Sequence, residues 1–424
     1  MRIYLNNIAK IKEANIEING ITVIAGENDT GKSTIGKALF SLFHSLLFID
    51  KKIIENKDGA IKNQVFRFLN SLENSSPSIL GNNIDDIFVN RKNINHITDE
   101  LLKFESIEDV NTILKQYIRD DIYSEIDSGA INNFLDRIKR IKNVDWKESV
   151  NLILRNYFSY EFNYQINNIY TDDIGKISLT IKEKNIDLSI MNDNIFLDND
   201  LSFNITEDIV YIDDPFILDD MYSMNRTYGF RRPSLNHKGH LLRQLCQQQE
   251  NNIIEEVIKQ KSIQNIIKQL NNICPGALLL QPDSIKYVNN GKGINVKNLS
   301  SGLKTFAILK ELIIKNIINT QGVIILDEPE IHLHPEWQLV LAELIILLQV
   351  EFNLHILLTT HSPYFLNAIE VYAKKYQIID RCKYYLSEYD ANATGVLFSD
   401  VSKNIDEIYE KLAKPLQKLE NLRY

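Results

Sequence analysis

The stretch Gly26-Glu27-Asn28-Asp29-Thr30-Gly31-Lys32-Ser33-Thr34 carries the spacing GxxxxGK[ST], and the chemistry of that spacing is a grip on a polyphosphate. Glycines let the backbone curl, so that N–H groups from Asn28, Asp29 and Thr30 through to Thr34 face inward at the positive end of a following helix. Lys32 then reaches the β and γ phosphates, and Ser33 ligates Mg²⁺. A chance glycine-rich turn is the bland alternative.

A second unit, Val323-Ile324-Ile325-Leu326-Asp327-Glu328, is an apolar strand ending in two acids. Asp327 is expected to hold Mg²⁺ through its water shell, and Glu328 to polarise or orient the attacking water. Two acids capping a helix would be the plain reading, and Pro329 directly behind them counts against it. The third unit is Leu299-Ser300-Ser301-Gly302-Leu303-Lys304, ahead of the helical pattern Phe306, Leu309, Leu312 and Ile313. Ser300, Ser301 and the Gly302 amide therefore sit at a helix N-terminus, which attracts anions; taken alone, an ordinary serine cap explains it. The fourth, Thr359-Thr360-His361-Ser362-Pro363, reads as a strand end followed by a serine cap and a proline in the first helical position. His361 is then held at the C-terminal edge of a sheet, where ligands bind, although a lone histidine is more often structural.

Strands and helices must bring these units together. Ile21 to Ala25 is an apolar run closing on Gly26, and Ile35, Ala38, Leu39, Leu42, Phe43 and Leu46 follow at helical spacing. Val323 to Leu326 and Ile356 to Thr360 read as buried strands, separated by a helix through Trp337, Val340, Leu341, Leu344 and Leu348. Such alternation implies a covered, mainly parallel sheet. The stretch between the first and last motifs is too long for an ordinary connection. We divide the chain into 1–50, carrying the phosphate loop; 51–175, a helical insertion without sustained heptads; 176–214, antiparallel strands joining the head; 215–293, a second mainly helical segment; and 294–424, carrying the other three motifs. The expected fold class is α/β, with a mixed sheet and a large helical insertion.

With 424 residues, 44% of them hydrophobic, the chain can bury a large core. Its 47 Lys and Arg against 56 Asp and Glu give a formal charge of −9, which does not advertise a nucleic-acid binder. Cys246, Cys274 and Cys382 form no CxxC pair, arguing against a zinc ribbon or a disulfide framework. No apolar run is long enough to span a membrane, so a cytoplasmic protein without membrane partners is expected.

In this order, the four motifs resemble those of ABC-type ATPases of the SMC, RecF and overcoming-lysogenization-defect branch. Asn298 to Phe306 and Leu326-Asp-Glu-Pro-Glu-Ile-His-Leu-His-Pro-Glu-Trp-Gln338 narrow the likeness to AAA_21 or PtuA-like ATPases, many of them from antiphage defence operons. The resemblance covers roughly 1–40 and 294–424, and Val210-Tyr-Ile-Asp-Asp-Pro215 resembles a strand these proteins place after their insertion. It implies ATP and Mg²⁺ as cofactors, Ser301 and Gly302 as a signature motif completing the site of a second copy, and His361 as the switch histidine. It further implies a homodimer or higher homo-oligomer, and a separate nuclease or toxin as effector, since only 362–424 follow His361. An ATP-bound scaffold with little turnover, or a RecF/SMC-like repair ATPase, are the alternatives. The signature departs from LSGGQ, and the magnesium-sensing glutamine has no evident match: Gln64, Asp213 and Asp214 are candidates.

Weaker constellations remain. Arg226, Arg231, Arg232, Lys238 and Arg243 alternate with Tyr228, Phe230, His237 and His240, an interleaving that suits a nucleic-acid backbone and suits a solvated loop equally. His332 and His334 invite a metal reading that lacks a third ligand. Asp213 and Asp214 fit an acidic site or simply a turn before Pro215.

Overall fold

The computed structural model describes residues 1–75, 94–101, 107–118, 127–201, 204–221, 235–247, 253–281, 284–392 and 394–422, with a few single positions besides. The chain divides into two units, one of Met1–Leu47 with Ile153–Tyr424 and the other of Phe48–Leu152.

The larger unit is built on a sheet whose strands in chain order are β1 (Arg2–Ile8), β2 (Ile11–Glu17), β3 (Ile21–Gly26), β4 (Gly175–Ile181), β5 (Lys184–Met191), β6 (Asn194–Leu197) and β7 (Ile209–Ile212). A separate three-stranded sheet comprises β8 (Ala277–Gln281), β9 (Ser284–Asn289) and β10 (Lys292–Asn295); β11 (Val323–Asp327), β12 (His355–Thr360), β13 (Cys382–Tyr389) and β14 (Val396–Asp400) return to the large one. The large sheet runs β6-β5-β4-β1-β2-β14-β13-β3-β12-β11-β7. From β13 to β7 every neighbouring pair is parallel, and β3, β7, β11 and β12 read as near-continuous apolar runs because both faces are covered. β1, β2, β4, β5 and β6 pair antiparallel, and their alternating burial matches a sheet with one wet face.

Helices α1 (Lys32–Leu46), α2 (Ile49–Ser75), α3 (Ile94–Leu101), α4 (Ile107–Tyr117), α5 (Ser128–Lys142) and α6 (Trp146–Glu161) occupy the first part of the chain. They are followed by α7 (His237–Cys246), α8 (Ile253–Ile273), α9 (Ser301–Ile314), α10 (Pro335–Phe352), α11 (Pro363–Lys375) and α12 (Asp406–Asn421). A single apolar cluster joins α7 to α11 with the sheet, including Leu241, Leu270, Phe306, Leu341, Ile356 and Phe365. The smaller unit is helical, with its own core of Ile61, Val65, Phe68, Leu114, Phe134 and Ile138. Within it the Phe68 and Phe134 rings stack at 4.4 Å, and Asp127 caps α5 by accepting from the Ala130 N–H.

Two parts of the division read from the sequence differ in the fold. The segment read as helical insertion to 175 gives up its last part to the larger unit, because the chain at Ile166 and Asn168 hydrogen-bonds to Ala9 and Asn7 beside β1. β7 closes the segment read as antiparallel, yet it lies parallel to β11. In the described part of 215–293, read as a second mainly helical segment, Leu241, Leu245, Ile266 and Leu270 are buried in the main core.

Candidate nucleotide site

Parallel register gathers the motifs at one edge. Thr360 lies beside Ala25, Asp327 beside Thr359, and Leu326 beside Ile212. The phosphate loop, the acidic pair, His361 and Asp213 thus all leave the C-terminal ends of neighbouring strands, which is where open α/β sheets bind ligands.

The loop is folded on itself. Gly31 caps α1 with φ 72°, and Thr30 Oγ1 donates to the Glu27 carbonyl at 2.7 Å while standing 2.7 Å from Ser387 Oγ. At Gly26 a Cβ would come within 2.2 Å of Ser387 Oγ and 2.6 Å of the Ser387 carbonyl, so only glycine lets β13 pass this close. Glu27, Asn28 and Asp29 form the exposed tip. Asp29 pairs with Lys10 and accepts from the Tyr389 hydroxyl, whose distance to the Asp29 carbonyl is 3.0 Å. Ser33 and Thr34 are half-buried at the start of α1.

Lys32 connects loop and acids. Its ammonium donates to the carbonyls of Gly26 and Glu27 at 3.2 and 2.8 Å and stands 3.3 Å from Glu328 Oε1. His361 Nδ1 is 3.4 Å from the other Glu328 oxygen. Glu328 itself holds φ 48°, a left-handed backbone that costs a non-glycine residue roughly 1–2 kcal/mol. The strain persists because the Glu328 N–H donates to the carbonyl and hydroxyl of Thr359, at 3.2 and 3.0 Å. Backbone held in this way commonly accompanies a functional side chain.

Asp327 is buried, and both its oxygens are engaged: Oδ2 accepts from the Tyr211 hydroxyl at 3.1 Å, and Oδ1 accepts from Thr359 Oγ1. The same Tyr211 oxygen lies 3.5 Å from the Ser33 carbonyl, so one hydroxyl stands between the two residues expected to serve magnesium. Burial and the Asp327 charge push the Tyr211 pKa well up, which keeps the phenol protonated and donating.

Behind Tyr211 sits an ionic stack absent from the sequence reading. His237 stacks on the Tyr211 ring at 4.4 Å, with Nδ1 2.5 Å from Glu161 Oε1 and Nε2 2.9 Å from Asp213 Oδ2. Burial works against a charged imidazole here, but the hydrogen bonds and charges of Asp213 and Glu161 outweigh it and hold its pKa at about 9. On the other side of Glu328, Glu330 is 2% exposed and accepts from Thr360 Oγ1. Burial raises its pKa. Thr360 Oγ1 in turn accepts from the Ser362 N–H at 3.0 Å, and these contacts bracket His361. Ser362 caps α11 and Pro363 follows in its first turn.

Ser300, Ser301 and Gly302 stand apart from this network. Ser300 caps α9 by accepting from Leu303 N–H, Ser301 is the first helical residue, and a Cβ at Gly302 would meet Trp337 at 2.9 Å and Leu333 at 3.1 Å. Among the described residues, their contacts run to their own helix and to this apolar pair, not to the phosphate loop. Lys304, one turn on, is 1% exposed and bonds both oxygens of Asp219 at 2.7 and 2.8 Å. His334 caps α10 and His332 packs edge-on against Phe216. Gln64 lies on α2 of the smaller unit. Of the basic and aromatic group, Arg226, Tyr228, Phe230, Arg231 and Arg232 fall outside the described residues.

The family whose description reads "AAA domain, putative AbiEii toxin, Type IV TA system" matches residues 21–367, from the start of β3 to within α11. The chain belongs to the AAA_21 family. A protein named Retron Vc95 probable ATPase, from Vibrio cholerae serotype O1 biovar El Tor, is 30% identical over 164 residues, 34% of this chain and 31% of that protein. The chain thus matches about a third of the length of this curated relative. Among solved structures, an SMC head bound to the C-winged helix domain of ScpA aligns at TM-score 0.43 with 12% identity, covering 95% of this chain and 98% of that one. The SMC head domain from Thermotoga maritima aligns at TM-score 0.38 with 9% identity, covering 94% and 98%. For this AAA_21 chain, sequence reading alone missed Tyr211, Thr359, Glu330 and Ser387. The first three lie inside stretches already singled out, Tyr211 within 210–215, Thr359 at the head of the His361 motif and Glu330 within 326–338, whereas Ser387 carried no signal.

Proposed function

We propose that this chain binds and hydrolyses ATP with Mg²⁺, and that two copies close around the nucleotide. The observation that carries the reading is the convergence of Lys32, Asp327, Glu328 and His361 at the ends of β3, β11 and β12. Arriving phosphates take the Lys32 ammonium from the carbonyls of Gly26 and Glu27. Glu328 then accepts a proton from, or orients, the attacking water, with His361 beside the γ-phosphate. Ser33 and Asp327 serve the magnesium ion, which supplies charge neutralisation when bound. Ser301 and Gly302, free of their own loop, present a helix N-terminus to the phosphates of a second copy.

The family description and the relative named a retron ATPase support a place in a bacterial antiphage defence system, as the sensing subunit of a separate nuclease or toxin. ATP binding and release shift open and closed populations, and the effector responds to that difference. Among the described residues no helix is long and apolar enough to cross a membrane.

Lys32→Ala should abolish ATP binding and turnover. Glu328→Gln should keep binding but slow turnover ~100- to 10,000-fold and accumulate an ATP-bound dimer by light scattering. Normal hydrolysis by Lys32→Ala, with no trapping by Glu328→Gln, defeats the mechanism.

A further inference from the structure

At the far end of the phosphate-loop helix lies a group of side chains that the proposed ATP chemistry leaves unused. His44 in the last turn of α1, Asp208 just before β7, and His240 on α7 each offer one ligand atom, and these atoms lie within 4.8 Å of one another. The two histidines are 7% and 6% exposed, with ring centroids 3.9 Å apart. His240 Nε2 is 3.0 and 3.1 Å from the two Asp208 oxygens. Gln244 donates to Asp208 Oδ2 at 3.0 Å and to the Ile209 carbonyl at 3.2 Å.

The two imidazole rings stand close enough to converge on one ion together with the carboxylate. The carboxylate lies against His240 Nε2, while the buried His240 Nδ1 has no hydrogen-bond partner among the described residues. Two imidazoles and one carboxylate are the donor set that borderline transition-metal ions take, with a fourth position left open. Asp208 is the half-exposed member and gives the ion its way in. Gln244 supplies the outer hydrogen bond that orients a ligating carboxylate.

We propose that His44, Asp208 and His240 bind a divalent transition-metal ion of the zinc class, at a site separate from the one that serves the nucleotide's magnesium. The ion ties α7 to the helix that opens from the phosphate loop, fixing both against the start of β7.

Full-length protein stripped with a chelator and reloaded with Zn²⁺ should keep one equivalent per chain after desalting, read by plasma emission spectrometry. Co²⁺ in its place should give visible d–d absorption without a thiolate charge-transfer band, which separates this site from Cys246, Cys274 and Cys382. Asp208→Asn and His240→Ala should lose the metal, Gln244→Leu should weaken it about 10- to 100-fold, and Asp327→Asn should retain it. His240→Gln keeps a polar side chain of similar reach, and near-ultraviolet circular dichroism confirms that it folds. Substoichiometric zinc in the wild type, a thiolate band, or an undiminished cobalt signal in folded His240→Gln overturns the proposal.

Discussion

Tyr211 contributes its hydroxyl to Asp327 and stands beside Ser33, so its effect should appear in magnesium affinity. Removing that hydrogen bond, worth roughly 0.5–1.5 kcal/mol, predicts that Tyr211→Phe raises the Mg²⁺ concentration for half-maximal ATPase about 2- to 10-fold. The ATP requirement at saturating Mg²⁺ should stay put, and titration of both ligands checks the split. His237 makes a prediction about pH. Its pKa rises from 6.5 to about 9 in the fold, so its stabilising contribution is complete below 6.5 and lost as pH climbs through about 9. Asp213 is shifted downward through the same pair, burial notwithstanding, so its share fades instead as pH falls through the ordinary carboxylate range. The melting-temperature gap between wild type and His237→Gln should be widest between the carboxylate range and about pH 6.5, already narrower above neutrality, and should shrink toward about pH 10. A gap that widens with alkali would mean the imidazole is neutral in the fold.

At the level of strands and helices, much was written plainly in the residues. The apolar runs ending at Gly26, Asp327 and Thr360 are strands β3, β11 and β12, because a strand covered on both faces leaves no polar position to interrupt it. The alternation through 176–197 is the meander of β4 to β6. What could not be read was adjacency. Nothing in the order of the chain says that β13 lies against β3, so Ser387 was invisible as a neighbour of the loop. Nor does it bring Glu161, Asp213 and His237 together, since that contact is set by tertiary packing. The N-cap at Ser300 shows the same limit from the other side: one local signal fits both a structural cap and a phosphate contact.

For the whole molecule, the separation between Ser301 and the phosphate loop makes a test of assembly. If each site draws its loop from one copy and its signature turn from another, chains carrying Lys32→Ala and chains carrying Ser301→Arg should each be inactive alone. Mixed, they rebuild one intact site per heterodimer, and ATPase activity should return at a fraction of the wild-type level. Silence in the mixture, with heterodimers verified by native mass measurement, would place the signature turn outside the site.

The left-handed backbone at Glu328 sets turnover against durability. Asparagine tolerates that conformation better than glutamate does, and it cannot serve as a base. Glu328→Asn should therefore melt later than Glu328→Gln, which loses the same charge beside Lys32 and His361 without easing the backbone, while hydrolysis is lost in both, as calorimetry and a phosphate-release assay would reveal together. On the proposed role of Glu328, the strain at this residue is a loss of stability carried for the sake of turnover.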